Sequence, residues 1–180
     1  MESEAQASLI MMRERRSERN YASKDVPLEL VNTVLEAGQW APTAYNVQEA
    51  RFVVLQDPKL VEEAKAFAWG CPKSAPVVIV ICADERVTEV FQGELHTTLV
   101  TEDIAMAAQN MLLMAHALDL GACVVASFSQ AGVSEYLNLP SYLKPMLLVS
   151  LGYVKARSTS VARKHELSEI TFWNGYTKKE

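Results

Sequence analysis

Thiols, positive charge and uninterrupted apolar runs are all scarce in this 180-residue chain, and each scarcity removes a class of function. The three cysteines, at 71, 82 and 123, form no C-x-x-C pair and follow no leader peptide. That argues against a disulfide framework or a thiolate zinc site and favours a reducing cytoplasm. Against 22 acidic residues there are 17 basic ones, a net charge of -5, so no general electrostatic grip on nucleic acid or an anionic membrane is expected. The longest apolar stretch, Leu99 to Leu120, is broken by Glu102, Asp103, Gln109, Asn110, His116 and Asp119, which predicts a buried helix of a soluble protein. There is no G-x-G-x-x-G, no G-x-x-x-x-G-K-[ST] and no H-E-x-x-H, leaving a Rossmann site, a P-loop and a zinc protease without support.

What is present fits one domain over residues 1–180. Four runs rich in valine, isoleucine and leucine read as core strands: Arg51 to Leu55, Val77 to Cys82, Ala122 to Phe128 and Met146 to Val154. Helical patterns cover residues 3–14, Leu28 to Gly38 after Pro27, Lys59 to Phe67 after Asp57-Pro58, Thr98 to Leu118, and Gln130 to Leu137. In the long helix Leu99, Ile104, Ala108, Met111, Leu112, Ala115 and Leu118 recur at helical spacing, so it is expected at the centre. Strands alternating with helices at irregular spacing indicate a mixed α/β or α+β sandwich whose sheet need not be parallel. Phe172, Trp173 and Tyr176 end a tail without a core of its own, to be packed on this domain or on a second subunit.

Charge is unevenly placed. Residues 25–154 hold 15 acids and 6 bases, whereas Arg13, Arg15, Arg16 and Arg19 stand near one end and Lys155, Arg157, Arg163 and Lys164 near the other. Brought together, these segments would form a small cationic pocket suited to one phosphate or carboxylate; kept apart, they are solvated faces. In an extended segment Arg15, Ser17 and Arg19 point the same way, and their forks and hydroxyl can surround phosphate oxygens. A second polar segment, Ala41 to Gln48, presents Thr43, Asn46 and Gln48 on a proline-held loop, a plausible seat for a planar hydrogen-bonding ring. His116 reads as a hydrogen-bonded helix residue, His96 as a surface residue, and Asp103 as a first-turn carboxylate complementing the helix dipole. Trp40 and Tyr45 could stack on a ligand or pack in the core.

In this order and register, Arg15-Arg16-Ser17-x-Arg19-x-Tyr21, Val26-Pro27, Ala41-Pro42-Thr43-Ala44-x-Asn46-x-Gln48, Arg51-Phe52-Val53-Val54, the Asp103 to Leu120 helix with Gly121-Ala122, Leu148 to Gly152, and Arg163-Lys164-His165 resemble the FMN-dependent nitroreductase family. The resemblance spans roughly Leu9 to Tyr176. It implies an α+β fold, a mixed β-sheet flanked by helices, in an interlocked homodimer with FMN sites at the subunit interface. Arg15, Ser17 and Arg19 would then hold the phosphate, ribityl chain and pyrimidine side of FMN, with Arg16 contributing through its backbone. Arg163 and His165 would close on the phosphate, and Pro42, Thr43, Ala44, Asn46 and Gln48 would come from the other subunit. Ala126 and Ser127 would offer a backbone N–H near flavin N5. The family loop usually reads P-S-x-x-N-x-Q-P-W; here Thr43 replaces serine, and Glu49-Ala50 replaces the proline and aromatic. His165 stands where arginine is commoner, so phosphate affinity would weaken above the histidine pKa of about 6.5.

The implied activity is hydride transfer from NADH or NADPH through FMN to a small electron-poor acceptor such as a nitroaromatic or quinone, with no catalytic side chain and no metal. Other flavin chemistry of the same family (flavin fragmentation, dehalogenation, enoyl reduction), a non-catalytic FMN-binding or storage module, and an acidic domain binding another small anion are the alternatives.

Overall fold

A computed structural model describes residues 2–91, 93–157 and 163–176. In chain order the elements are α1 (Glu2–Glu14), α2 (Leu28–Gln39), a 3-10 turn (Ala44–Asn46), β1 (Ala50–Leu55), α3 (Pro58–Lys65), β2 (Val77–Asp84), α4 (Glu85–Thr88), α5 (Glu94–Ala117), β3 (Gly121–Val125), α6 (Gln130–Tyr136), β4 (Leu143–Gly152) and α7 (Leu167–Ile170). All four expected strands and all five expected helices are present. The short α4 and α7 carry too few residues for a periodic signal and were not anticipated.

The sheet has the order β1-β2-β4-β3, and every pair of named strands is antiparallel. Its parallel component is one bridge, Ser17 to Ala122, by which the segment after α1 joins the β3 edge. β2 is buried along its whole length. Alternation sends Val77, Ile79, Ile81 and Ala83 into a cluster with Val31, Val34, Ile104, Met111 and Ala115 of α2 and α5. It sends Val78, Val80 and Cys82 to the other face, against Tyr21, Val61, Ala64, Val125 and Val133. Each fully buried valine or isoleucine there contributes about 1.5–3 kcal/mol, so a central strand without alternating polarity is what a sheet covered on both faces requires. The β2–β4 register slips by one residue between Ile81 and Cys82, beside Pro145, whose missing N–H cannot continue the ladder.

The long helix begins at Glu94, one turn earlier than the pattern predicted, after Gly93 at φ +61. Two readings change as a result. Asp103 lies in the third turn, where it cannot serve the helix dipole, and His96 lies in the first, half-buried, with its Nε2 2.9 Å from Thr88 Oγ1. Among the described residues no helix is long and apolar enough to cross a membrane.

The aromatic tail does not pack on the core. Trp173 and Tyr176 are 83% and 77% exposed, and Leu167 and Ile170 of α7 also face outward. The rings of Phe172 and Tyr176 lie against each other, centroids 4.4 Å apart.

Candidate functional site

Arg15, Arg16, Ser17 and Arg19 follow α1 in extended backbone. Glu18 N–H donates to the Ala122 carbonyl at 3.1 Å, and Tyr21 bridges to Val154. Alternation buries Glu18 and leaves Ser17 and Arg19 outward, as their spacing predicts. The approach to the sheet is close because residue 121 is glycine: a Cβ there would collide with the side chains of Val154 and Glu18. Tyr21 fastens the segment from below, its hydroxyl 2.7 Å from the Glu18 carbonyl and 2.8 Å from Ser150 Oγ, and burial pushes that phenol far above its ordinary pKa.

Arg15, Ser17 and Arg19 all act on the ionisation of one group of β3, the Cys123 thiol. Burial raises the Cys123 pKa, while the charge of Arg19, a hydrogen bond with Ser17 and the charge of Arg15 pull it down. Arg16 behaves differently, its Nη1 bonded to the carbonyls of Arg13 (2.6 Å) and Arg15 (2.8 Å). Arg15 carries the decisive feature: its Nη1 is buried and has no hydrogen-bond partner among the described residues. A buried guanidinium donor without an acceptor is costly, and an anionic oxygen relieves that cost. The residues present thus fit a phosphate-bearing cofactor.

From the other end of the chain, Arg157 reaches the same neighbourhood. It donates to Asp119 Oδ1 at 3.0 Å and lies 3.2 Å from His116 Nδ1. Burial, then Arg157, with a smaller effect from Arg15, holds the His116 pKa below its ordinary value. Arg157 was not singled out among the terminal cations, and only the fold marks it. Arg163 and His165 are exposed, with His165 Nδ1 3.3 Å from Glu169 Oε2 of its own segment.

The 41–48 segment forms a tight, unusual turn. Tyr45, Asn46 and Gln48 all have positive φ (52, 57 and 52) without being glycine, a conformation that costs free energy unless the surroundings impose it. They do impose it. Ala44 N–H donates to Asp103 Oδ2 at 2.8 Å, Gln48 N–H to Thr43 Oγ1 at 3.1 Å, and Arg51 Nη1 to the Gln48 carbonyl at 2.8 Å. Pro42, Asn46 and Gln48 are exposed on its outer side, Thr43 and Ala44 partly covered. Neither flanking aromatic is in the core: Trp40 is 79% and Tyr45 83% exposed, Tyr45 leaning on Phe91.

Ala126 and Ser127 lie exposed just beyond β3, which ends at Val125 and not at Phe128. The strap Phe67 to Cys71 runs alongside. Gly70 N–H donates to the Ser127 carbonyl at 3.0 Å and Ser129 N–H to the Phe67 carbonyl at 2.8 Å, while Trp69 stands outward, 70% exposed.

Within the chain these features form two separate clusters. The loop is tied to Asp103 and the arginine cluster gathers near His116. Thirteen residues of α5 at 1.5 Å each put the two anchor points about 20 Å apart.

The nitroreductase family model matches residues 12–74 and 64–153. An NADH dehydrogenase of Thermus thermophilus is 30% identical over 190 residues, covering 88% of this chain and 92% of its own. An FMN reductase [NAD(P)H] of Bacillus subtilis is 27% identical over 164 residues, covering 82% and 66%. Among solved structures, a protein of Desulfovibrio desulfuricans in complex with FMN superposes with a TM-score of 0.79 at 30% identity, over 94% of this chain and 98% of its own.

Proposed function

The chain belongs to the nitroreductase family, and from that premise we propose that it is an FMN-dependent oxidoreductase that passes hydride from NADH or NADPH to a small electron-poor acceptor, a nitroaromatic or a quinone. The observation that carries this reading is the buried, unpartnered Nη1 of Arg15, which acts with Ser17 and Arg19 on Cys123 and with Arg157 on His116. Flavin held there would supply the two-electron redox chemistry between the nicotinamide donor and the acceptor.

The chain's own residues bind and orient. Arg15 and Ser17 hold the phosphate end, Arg16 acts through its backbone, and Arg163 and His165 close from the carboxyl-terminal arm. Arg19 places fixed positive charge beside the ring, where negative charge develops on reduction. The Ala126–Ser127 backbone supplies an N–H to the ring edge; its neighbouring carbonyl is already tied to Gly70, so the segment is held before any ligand arrives. No side chain serves as nucleophile, and no metal is required.

Pro42, Thr43, Ala44, Asn46 and Gln48 belong to the second cluster, about 20 Å away along α5 by helical rise. We assign them to the cofactor of the opposite subunit in a homodimer. The outward-facing Leu167, Ile170, Phe172 and Trp173 are apolar surface for that partner to cover.

The test is the visible absorption spectrum of the purified protein, recorded before and after anaerobic NADH and then NADPH, followed by addition of a nitroaromatic or a quinone. A yellow protein bleached by one donor and reoxidised by the acceptor is expected. A colourless protein that takes up no FMN would sink the assignment.

A further inference from the structure

Glu49 is 0% exposed, yet neither oxygen of its carboxyl group has a hydrogen-bond partner among the described residues. It lines a cavity of about 130 Å³ with Gly38, Thr43, Phe52, Asp103 and Ala107. An ionised carboxylate left there alone would carry a heavy desolvation cost.

Few charges face it. Asp103, from α5, is the other carboxyl on the cavity, 4% exposed, and it accepts the Ala44 N–H. Arg51, on β1 two residues after Glu49, spends Nη1 on the Gln48 and Ala50 carbonyls and Nη2 on Asp84 at 3.2 Å. Asp84, at the end of β2, is held by Arg86 at 2.7 Å. From α2 come Gly38 and Gln39, which bring no charge. Two carboxyls across so small a space cannot both be ionised cheaply, whereas one shared proton leaves a single charge and a donor matched to an acceptor.

We propose that Glu49 is a positioning residue that holds this proton, its O–H donating to the Asp103 carboxylate, so that Asp103 keeps the Ala44 N–H and the left-handed turn behind it in place. Loss of the proton puts two negative charges in the cavity, displaces Asp103 and loosens the Thr43–Gln48 loop. Burial first, with the Asp103 charge beside it, raises the Glu49 pKa, the direction the arrangement requires. The consequence for cofactor retention rests on the FMN reading above; the carboxyl pair does not.

Infrared pH-difference spectra of the full-length protein, with and without FMN, read the protonated carboxyl. The exchange protection of the Ala44 amide reads the loop without reference to cofactor. The wild type is expected to show a buried protonated-carboxyl band, titrating above the ordinary carboxylate range, that Glu49→Gln removes. Asp103→Asn keeps an acceptor for Ala44 but removes the like charge, so the band should titrate at lower pH. As the band titrates, the Ala44 protection factor falls about tenfold in the wild type and holds in Glu49→Gln, whose amide retains the donor. The FMN dissociation constant rises in step, by up to about tenfold per pH unit, only in the wild type. A band that survives Glu49→Gln, or Ala44 protection indifferent to the loss of the band, overturns the proposal. If band and amide respond as expected while FMN binds at no pH, the cofactor assignment fails and the carboxyl pair stands.

Discussion

The Asp103 carboxylate accepts the Ala44 N–H at 2.8 Å across 59 residues of chain, from the third turn of α5 to the first residue of the 3-10 turn. The loop's strained backbone depends on it, because the next two residues, Tyr45 and Asn46, both have positive φ. Without that acceptor the turn has less to offset its conformational cost.

Asp103→Ala should therefore destabilise the protein by about 1–3 kcal/mol, the penalty for a partly buried N–H left unmade. At about 2–4 °C per kcal/mol for a chain of this size, thermal melts will show it. Asp103→Asn, which keeps an acceptor, should lose less than half as much; equal losses in the two variants would mean that the hydrogen bond is not what holds the loop.

Arg15→Met separates binding from folding. It removes a buried donor that has no partner, so the cofactor-free protein should melt no lower than wild type. FMN affinity, followed by quenching of flavin fluorescence, should fall about 10-fold to 100-fold, the value of one or two charge-assisted hydrogen bonds. Unchanged affinity would remove Arg15 from the phosphate site.

Acid stability should depend on Asp84. Hydrogen bonding to Arg86 outweighs burial and holds its pKa below the ordinary carboxylate value, with Arg51 adding to the effect. A carboxylate lowered in this way adds stability that is fully present above the unfolded pKa of about 3.9 and is lost as pH falls through the folded value. Denaturant midpoints of wild type and Asp84→Asn, measured from about pH 6 down to about pH 2, should converge toward the acid end. Parallel curves would show that Asp84 is not linked to acid unfolding.

Gly121→Ala places a methyl group against Val154 and Glu18, where the 15–21 segment meets the sheet. Overpacking of that kind costs about 1–3 kcal/mol. The Ser17–Ala122 bridge should open with it, seen as faster exchange of the Glu18 amide and weaker FMN binding together. A variant that melts and binds like wild type would show that the segment has room to move.

Much of the architecture was legible from local pattern. β2 reads as a strand because the six-residue apolar run Val77 to Cys82 suits a sheet buried on both faces, and α3 is announced by Asp57-Pro58, where Asp57 caps the N–H groups of Lys59 and Leu60. The outward placement of Ser17 and Arg19 on either side of buried Glu18 was readable because alternation in extended chain is a property of the backbone alone.

Other features had no local signal. Asp103, expected in the first turn of its helix, lies in the third, and with that went the true task of the side chain. Glu49 stood out only as the residue where the family pattern has proline, and nothing nearby in the chain foretold that it would be sealed in beside a second carboxyl 54 positions later. Arg157 was one terminal cation among several until the fold set it beside His116.

Composition, periodicity and capping chemistry act over a few residues, so the sequence by itself determined the longer elements and the class of fold. Which charges neutralise one another, which donor is left without an acceptor, and that the 15–19 and 41–48 segments lie at separate points of α5 were decided only in the tertiary structure. Burial and Coulomb interaction depend on distance in space, and no spacing along the chain encodes it.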